Sequence, residues 1–137
     1  DDGLSTKNYD QADIILTGVS RSGKTPTCLF LALQYGIYAA NYPLIDEDLD
    51  SVKLPSVLKP FKKKLYGLSI NPVRLQNIRG ERRSNSGYAS IEQCQKEVRR
   101  AEDMYVQNNV PFIDTSHISI EEIAGRILQK SKLERRY

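Results

Sequence analysis

The sequence predicts a three-layer α/β/α domain, in which a mostly parallel sheet lies between two layers of helices. Short apolar runs alternate with longer helical segments along the chain, an order typical of parallel sheets built from strand–helix units. Residues 12–17 contain the continuous run Ile14-Ile15-Leu16, as expected for a parallel strand buried on both faces. A glycine-rich loop follows this strand and leads directly into a helical segment. Together these observations indicate the α/β fold class.

Four strands are predicted, at residues 12–17, 37–42, 64–70 and 110–114. Pro43 is expected to stop the second strand, because proline has no backbone N–H to donate to a strand ladder. The stretch 44–60 is acidic and then rich in proline. We therefore predict a long functional loop there, with one helical turn.

Four helices are predicted, beginning at Lys24 and after the capping residues Asn71, Ser90 and Ser119. Gly36 is expected to end the first helix, and Pro72 fits the first position of the second. Ser90 and Ser119 each precede a glutamine or glutamate by three residues, which predicts capping boxes with Gln93 and Glu122. The third helix is expected to reach about residue 108.

The apolar faces of the first two helices are also predicted from the sequence. The first helix is expected to have a broad apolar surface made of Leu29, Leu31, Ala32, Leu33 and Tyr35. The second is expected to turn Val73, Leu75 and Ile78 inward, and its arginines Arg74, Arg79, Arg82 and Arg83 elsewhere. Residues 84–87, Ser-Asn-Ser-Gly, are expected to be a flexible break.

Composition excludes several classes of protein. The chain has 137 residues and a mass of 15.6 kDa, with 39% hydrophobic and 27% charged residues, which suits one globular domain. Two cysteines and one histidine cannot supply a disulfide framework or a histidine-rich metal site. The net charge of +3 is mild and its basic clusters are local, so nucleic acid is not an expected partner. We expect neither a membrane segment nor a leader peptide, and a cytoplasmic location.

Residues 18–25 match the phosphate-binding loop (P-loop) pattern G-x-x-x-x-G-K-[ST]. Such a loop places successive backbone N–H groups around a phosphate at the start of a helix, while Lys24 would reach the terminal phosphate and Thr25 would ligate Mg²⁺. Arg21 could add a further phosphate contact. The alternative is a simple glycine-rich turn. The predicted nucleotide-binding residues are Gly18, Val19, Ser20, Arg21, Ser22, Gly23, Lys24 and Thr25.

Three further groups of residues are candidates for the chemistry. The acidic stretch 46–50 follows the second strand, and Asp46 or Asp48 could act as the acceptor base or as an outer ligand of the metal; the alternative is a solvated loop. Asp114 ends the fourth strand and could organise a metal or simply cap a turn. Four arginines, Arg74, Arg79, Arg82 and Arg83, flank the expected flexible break and could close over phosphates as a lid. The last three share one helix face, and the alternative is a surface stripe.

Beyond the loop, the sequence resembles the phosphoenolpyruvate synthase regulatory protein family over essentially its whole length. The resemblance rests on Asp1-Asp2-Gly3, the loop extended to Pro26-Thr27, Ala39-Ala40-Asn41-Tyr42-Pro43, Leu58-Lys59-Pro60, Lys64-Leu65-Tyr66-Gly67-Leu68, Ile78-Arg79, Glu81-Arg82-Arg83 and Tyr88-Ala89-Ser90. Family members are about twice as long. Residues 1–11 are therefore expected to be a linker from a missing N-terminal region, and 12–137 a P-loop kinase-like domain.

This resemblance implies a bifunctional enzyme. Such proteins transfer a phosphoryl group from ADP to a threonine of phosphoenolpyruvate synthase with Mg²⁺, and remove it with inorganic phosphate to release pyrophosphate. Related members act on pyruvate, phosphate dikinase, but residues 23–27 and 41–43 look closer to the synthase branch. Two alternatives stay open, a nucleotide-dependent binding module without activity of its own and a kinase of small molecules. A homodimer is one expected assembly.

Overall fold

The chain folds into a four-stranded, all-parallel sheet with helices on both faces, in a computed structural model that describes residues 8–82 and 87–133. The strands are β1 (Ile14–Val19), β2 (Ala39–Leu44), β3 (Leu65–Ser69) and β4 (Phe112–Asp114). The helices are α1 (Lys24–Tyr35), α2 (Pro72–Arg82), α3 (Ile91–Gln107) and α4 (Ile120–Ser131). The strand order is β2-β1-β3-β4. The predicted α/β class and the order of its elements are confirmed.

Two apolar cores, one on each face of the sheet, produce the three layers. Every residue of β1 is buried, and its side chains alternate between the two cores. Ile14 and Leu16 pack with residues of α1 and α4, whereas Ile15 and Val19 pack with residues of α2 and α3. The uninterrupted apolar run in this strand therefore reflects burial on both faces, as predicted.

The second strand does not end at Pro43 as expected, because β2 continues to Leu44 and Pro43 pairs with Gly18 of β1. β2 lies at the edge of the sheet. An edge strand uses only one side of its backbone for pairing, so proline can be accommodated there without the loss of a ladder hydrogen bond.

The predicted N-cap residues cap their helices, but the capping box expected at Ser90 is not completed, because the Ser90 N–H donates to the carbonyl of Gly87 and the Gln93 side chain donates to Glu97. Each N-cap side chain accepts a hydrogen bond from a backbone N–H of the first turn, at 2.8 Å from Val73 to Asn71, 3.1 Å from Gln93 to Ser90 and 3.1 Å from Glu122 to Ser119. Gly36 ends α1 with a φ of 66°, a left-handed conformation that suits glycine. Residues 72–82 and 91–107 thus begin where the sequence predicts.

The apolar surface predicted for α1 is only partly buried. Leu31 is fully buried, but Leu29 is 58% exposed and Leu33 is 71% exposed, because the helix belongs to an outer layer and only one side of it meets the sheet. Similarly, Leu75 of α2 is buried and Ile78 packs against the core, whereas Val73 is 55% exposed.

The stretch 44–60 is packed more closely than a long loop. It contains a 3₁₀ turn at Asp48–Asp50 and enters a second 3₁₀ segment, Ser56–Lys64. Leu49, Leu54 and Leu58 are buried in the core on the α2/α3 side of the sheet, so they fix the path of this connection.

Parts of two sequence predictions lie outside the described residues. These are residues 1–7 of the expected linker and residues 84–86 of the expected flexible break. Of the rest of that linker, Tyr9 is buried and its ring packs edge-on against Phe61 at 5.8 Å. Among the described helices, none is long and apolar enough to cross a bilayer.

Candidate functional site

The glycine-rich loop, residues 18–25, connects β1 to α1 at the carboxyl ends of the parallel strands. β1 is a central strand, and the chain continues first to β2 on one side of it and then to β3 on the other. In open α/β sheets such a reversal creates a crevice at the carboxyl edge, where ligands commonly bind. The loop therefore lies where the fold class places a ligand site.

At both glycine positions of the motif, a residue with a side chain would be strained. A Cβ added to Gly18 would lie 2.6 Å from Ser22 Oγ and 2.9 Å from the carbonyl oxygen of Leu68, closer than these atoms can approach. Gly23 has a φ of 101°, which side-chain-bearing residues rarely adopt. Arg21 also has a positive φ, 71°, although it is not glycine. The loop is thus a tightly wound turn that β3 contacts from the side.

Lys24 lies inside this turn instead of extending into solvent. The residue is 2% exposed, and its Nζ donates a hydrogen bond to the carbonyl of Val19 at 2.9 Å. The pKa of Lys24 is lowered from its usual 10.5 to about 8, mainly by burial, with smaller contributions from the nearby cations Arg79 and Arg21. The buried ammonium of Lys24 and the exposed guanidinium of Arg21 make the loop an electropositive site.

Two hydroxyl groups of the loop are buried without a hydrogen-bond partner, Ser22 Oγ and Thr25 Oγ1. Buried polar groups in folded proteins are nearly always paired, so these two indicate that the loop accommodates a polar ligand. Beside them is a cavity of about 210 Å³, lined by Arg21, Gly23, Lys24, Thr25, Pro26 and Ile78. This donor set fits a phosphate group with a hard cation, because Thr25 offers an oxygen ligand and Lys24 a positive charge.

A larger cavity of about 820 Å³ lies elsewhere, near the amino ends of β3 and β4 and the carboxyl end of α4. It contains none of the predicted site residues. The smaller cavity is therefore the better candidate, because residues of the motif line it, among them the buried cation Lys24 and Thr25 with its unpaired hydroxyl.

Arg79 is placed differently from the expectation that it lies on an outward-facing surface of α2. It is completely buried, and its guanidinium forms a bidentate ion pair with Glu97 of α3, at 2.8 Å and 3.1 Å. It also donates to the carbonyls of Ser20, at 3.1 Å, and Tyr88, at 3.0 Å. The Tyr88 ring lies 4.3 Å from the guanidinium carbon. Arg79 thus joins the glycine-rich loop to α3.

The other arginines of the predicted lid have no contact with the loop that the described part of the chain shows. The side chain of Arg82 and the whole of Arg83 lie outside the described residues, and Arg74 is exposed on α2. A lid made by Arg82 and Arg83 stays a prediction.

The two aspartates predicted as acceptor-side residues differ in their contacts. Asp48 is engaged locally, because its carboxylate accepts from the backbone N–H of Ile45 at 3.1 Å and from the hydroxyl of Tyr42 at 3.3 Å. Burial, with Asp48 nearby, raises the pKa of Tyr42 to about 12. Asp46 is exposed and accepts from Gln93 Nε2 at 3.4 Å. Since Asp46 is less engaged by its own turn, it is the stronger candidate of the two.

Asp114 caps a turn, the simpler of its two predicted roles. Its Oδ1 accepts from the backbone N–H of Ser116 at 2.9 Å and from the Ser116 hydroxyl at 2.6 Å. β4 is separated from β1 by β3, so Asp114 ends a strand that does not adjoin the loop's own strand. Within residues 8–82 and 87–133, no three His, Cys, Asp or Glu side chains are grouped to hold a metal.

Sequence reasoning missed three residues that hold the loop in place. Glu97 pairs with Arg79, the hydroxyl of Tyr88 lies 2.7 Å from Ser20 Oγ, and Thr115 Oγ1 lies within hydrogen-bond distance of the carbonyl of Ser22, at 3.3 Å. Of the three, only Glu97 could have been identified from the sequence, because it falls within the apolar stripe of α3, between Cys94 and Val98. A charged residue in such a stripe usually has a buried partner.

Comparison with known proteins identifies close relatives. The family model described as Kinase/pyrophosphorylase matches residues 1–128. A protein of Neisseria gonorrhoeae (strain ATCC 700825 / FA 1090) is 60% identical over 137 residues, which is 100% of this chain and 50% of that protein. One from Laribacter hongkongensis (strain HLHK9) is 58% identical with the same coverage, and one from Legionella pneumophila (strain Corby) is 57% identical over 136 residues. The names of all three include the words phosphoenolpyruvate synthase regulatory protein. The chain spans about half the length of the curated relatives it matches.

Proposed function

The chain belongs to the kinase/pyrophosphorylase family, and on that premise we propose that it is an ADP-dependent protein-threonine kinase that also removes the phosphoryl group by phosphorolysis. The family assignment confirms the resemblance drawn from the sequence. The name of the family supports phosphotransferase chemistry in general. The donor, the acceptor and the roles of individual residues are proposals.

One observation carries the proposal, the pair of unpartnered buried hydroxyls on Ser22 and Thr25 beside the buried ammonium of Lys24. The terminal phosphate of ADP would lie against the amides of the glycine-rich loop and Lys24, and Thr25 would provide an oxygen ligand for Mg²⁺. Bound Mg²⁺ would neutralise charge on the phosphate oxygens. Preorganised donors of this kind stabilise the charge that develops during phosphoryl transfer.

In the kinase direction, the threonine hydroxyl of the target would attack the β-phosphorus of ADP. A new bond would form between the threonine oxygen and phosphorus, the bond from phosphorus to the bridging oxygen would break, and AMP would leave. The hydroxyl proton needs an acceptor, and we propose the carboxylate of Asp46, because Asp48 is occupied by its own turn.

In the reverse direction, inorganic phosphate would attack the phosphothreonine. Its oxygen would bond to the phosphorus, the bond from phosphorus to the threonine oxygen would break, and a proton would pass to the threonine oxygen, so that pyrophosphate leaves and threonine is restored. The acceptor must be held close to the phosphorus in both directions. Arg82 and Arg83, the remaining lid candidates, are proposed to bind that phosphate.

Phosphoenolpyruvate synthase is the proposed target, because the relatives carry its name. Pyruvate, phosphate dikinase is the alternative target for the same chemistry. Since the chain spans half the length of these relatives, a third proposal is that it binds nucleotide and target without completing the transfer.

The test is incubation of the chain with MgADP and purified phosphoenolpyruvate synthase, followed by mass spectrometry for phosphothreonine and by detection of AMP. Lys24→Ala should abolish the product, whereas Lys63→Ala, which removes an exposed lysine, should not. The longer Neisseria gonorrhoeae relative, assayed in parallel, separates the alternatives: product from the relative but not from this chain would leave only the binding role. Product from Lys24→Ala at the wild-type rate would refute the site.

A further inference from the structure

Among the described residues outside the glycine-rich loop, Arg79 is the only charged one whose side chain is fully buried and also contacts that loop. Its Nη2 reaches both Glu97 Oε1, at 2.8 Å, and the carbonyl oxygen of Ser20, at 3.1 Å. Its Nη1 reaches Glu97 Oε2 and the carbonyl of Tyr88. The guanidinium therefore contacts the loop, α3 and the segment that precedes α3 at the same time.

This guanidinium is held too firmly to move as part of a lid. Glu97 fixes it from one side with two hydrogen bonds, and Gln93 Nε2 in turn donates to Glu97 at 2.8 Å. The ring of Tyr88 covers it at 4.3 Å, and the Tyr88 hydroxyl lies 2.7 Å from Ser20 Oγ. Since Glu97 already balances its charge, the importance of Arg79 for the loop lies in geometry.

Arg79 fixes the orientation of the peptide bond between Ser20 and Arg21, because it donates a hydrogen bond to the Ser20 carbonyl. The bond is trans, so its carbonyl and its N–H point in opposite directions. A hydrogen bond that holds the Ser20 carbonyl toward Arg79 therefore turns the Arg21 N–H away from Arg79. Arg21 itself has a φ of 71°, a conformation that is unfavourable without glycine and that persists only where surrounding contacts enforce it.

We propose that Arg79 is a positioning residue, which holds the glycine-rich loop in its ligand-binding shape through the carbonyl of Ser20 before any nucleotide arrives. The inference rests on the proposed function insofar as the ligand is a nucleoside diphosphate. The loop then needs no reorganisation on binding, and loss of Arg79 lowers affinity without removing any group that touches the ligand.

The test compares two variants that both lose the ion pair. Arg79→Met with Glu97→Gln removes both charges and the contact to Ser20, whereas Glu97→Gln alone keeps Arg79 and its contact. Amide hydrogen exchange is followed by mass spectrometry on the nucleotide-free proteins. Peptides covering residues 18–25 should exchange at least about tenfold faster in the double variant than in Glu97→Gln, the usual effect of losing a hydrogen bond from a charged donor. Peptides covering residues 65–69 should exchange equally in both.

Titration with MgADP provides the second readout, and we expect about tenfold weaker binding by the double variant than by Glu97→Gln. Two results would overturn the proposal by showing that Arg79 serves only the core. One is the same exchange rate of the loop peptides in both variants; the other is exchange in the double variant that, relative to Glu97→Gln, is faster by the same factor in the loop and in β3. If the double variant does not fold, Arg79→Lys takes its place, since one ammonium cannot reproduce the contacts of two guanidinium nitrogens. If the wild-type chain binds no MgADP, the proposed function fails, and hydrogen exchange still decides the role of Arg79.

Discussion

Raising the pH from 7 to 9 should weaken the binding of MgADP about tenfold, because Lys24 loses its proton over this range. With a pKa of about 8, the protonated fraction of Lys24 in the free protein falls from about 0.9 at pH 7 to about 0.1 at pH 9. The ammonium form attracts the diphosphate and the neutral form does not. Binding must therefore raise the pKa of Lys24, and at pH 8 each bound ADP should take up about half a proton.

Isothermal titration calorimetry measures both quantities, the affinity at pH 7, 8 and 9 and the proton uptake from buffers of different ionisation enthalpy. Lys24→Arg is the matched control, because a guanidinium stays charged throughout this range. Neither Cys28 nor the phosphate should interfere, because burial raises the pKa of Cys28 to about 12 and the last phosphate ionisation lies near pH 6. Equal wild-type affinity at pH 7 and 9, or the same decline in Lys24→Arg, would refute the reasoning.

The stability of the free protein should change in the opposite direction. The pKa of Lys24 is lower in the folded chain than its usual 10.5, so the unfolded state binds more protons between pH 8 and 10.5. The free energy of unfolding should therefore rise with pH in this window, by on the order of 3 kcal/mol from this residue at most. Urea denaturation at pH 8 and pH 10 measures the change, and Lys24→Met should lack it.

Three further predictions concern the loop, a cap and the acceptor. Gly18→Ala should lower stability by about 1–3 kcal/mol and weaken MgADP binding, because its Cβ would lie 2.9 Å from the Leu68 carbonyl oxygen; unchanged urea denaturation and affinity would contradict this. Asn71→Ala should lose about 1 kcal/mol in urea denaturation, whereas Asn71→Ser should lose little, and equal losses would exclude capping as the cause. Asp46→Asn should slow phosphoryl transfer by about 10²-fold or more with unchanged MgADP affinity, while Asp48→Asn should mainly lower stability; the reverse pattern would assign the base to Asp48.

The features that depend on neighbouring residues were predictable from the sequence. Asn71, Ser90 and Ser119 cap their helices as expected, because a cap is a contact between residues two or three positions apart. The buried run of β1 and the loop that follows it were predictable as well, because a continuous apolar run and the spacing of glycine, lysine and threonine are visible in a short stretch of sequence.

The features that depend on residues far apart in the chain were not predictable from the sequence. Pro43 remains in β2 only because that strand lies at the sheet edge, and strand order is a property of the whole fold. Asp46 and Asp48 look alike in the sequence, but their hydrogen-bond partners distinguish them. Leu29 and Leu33 look like core residues, yet α1 meets the sheet with its other side.

The order of strands and helices and the glycine-rich loop were thus determined by the sequence itself, because short-range sterics and hydrophobic periodicity act wherever the chain goes. The tertiary structure decided the environment of the ionisable groups. It buried Arg79 against Glu97, which lies 18 positions away, and placed that pair against a loop carbonyl 59 positions away. It also enclosed Lys24 and so lowered its pKa. Burial and charge pairing depend on which surfaces meet, and no local pattern specifies that.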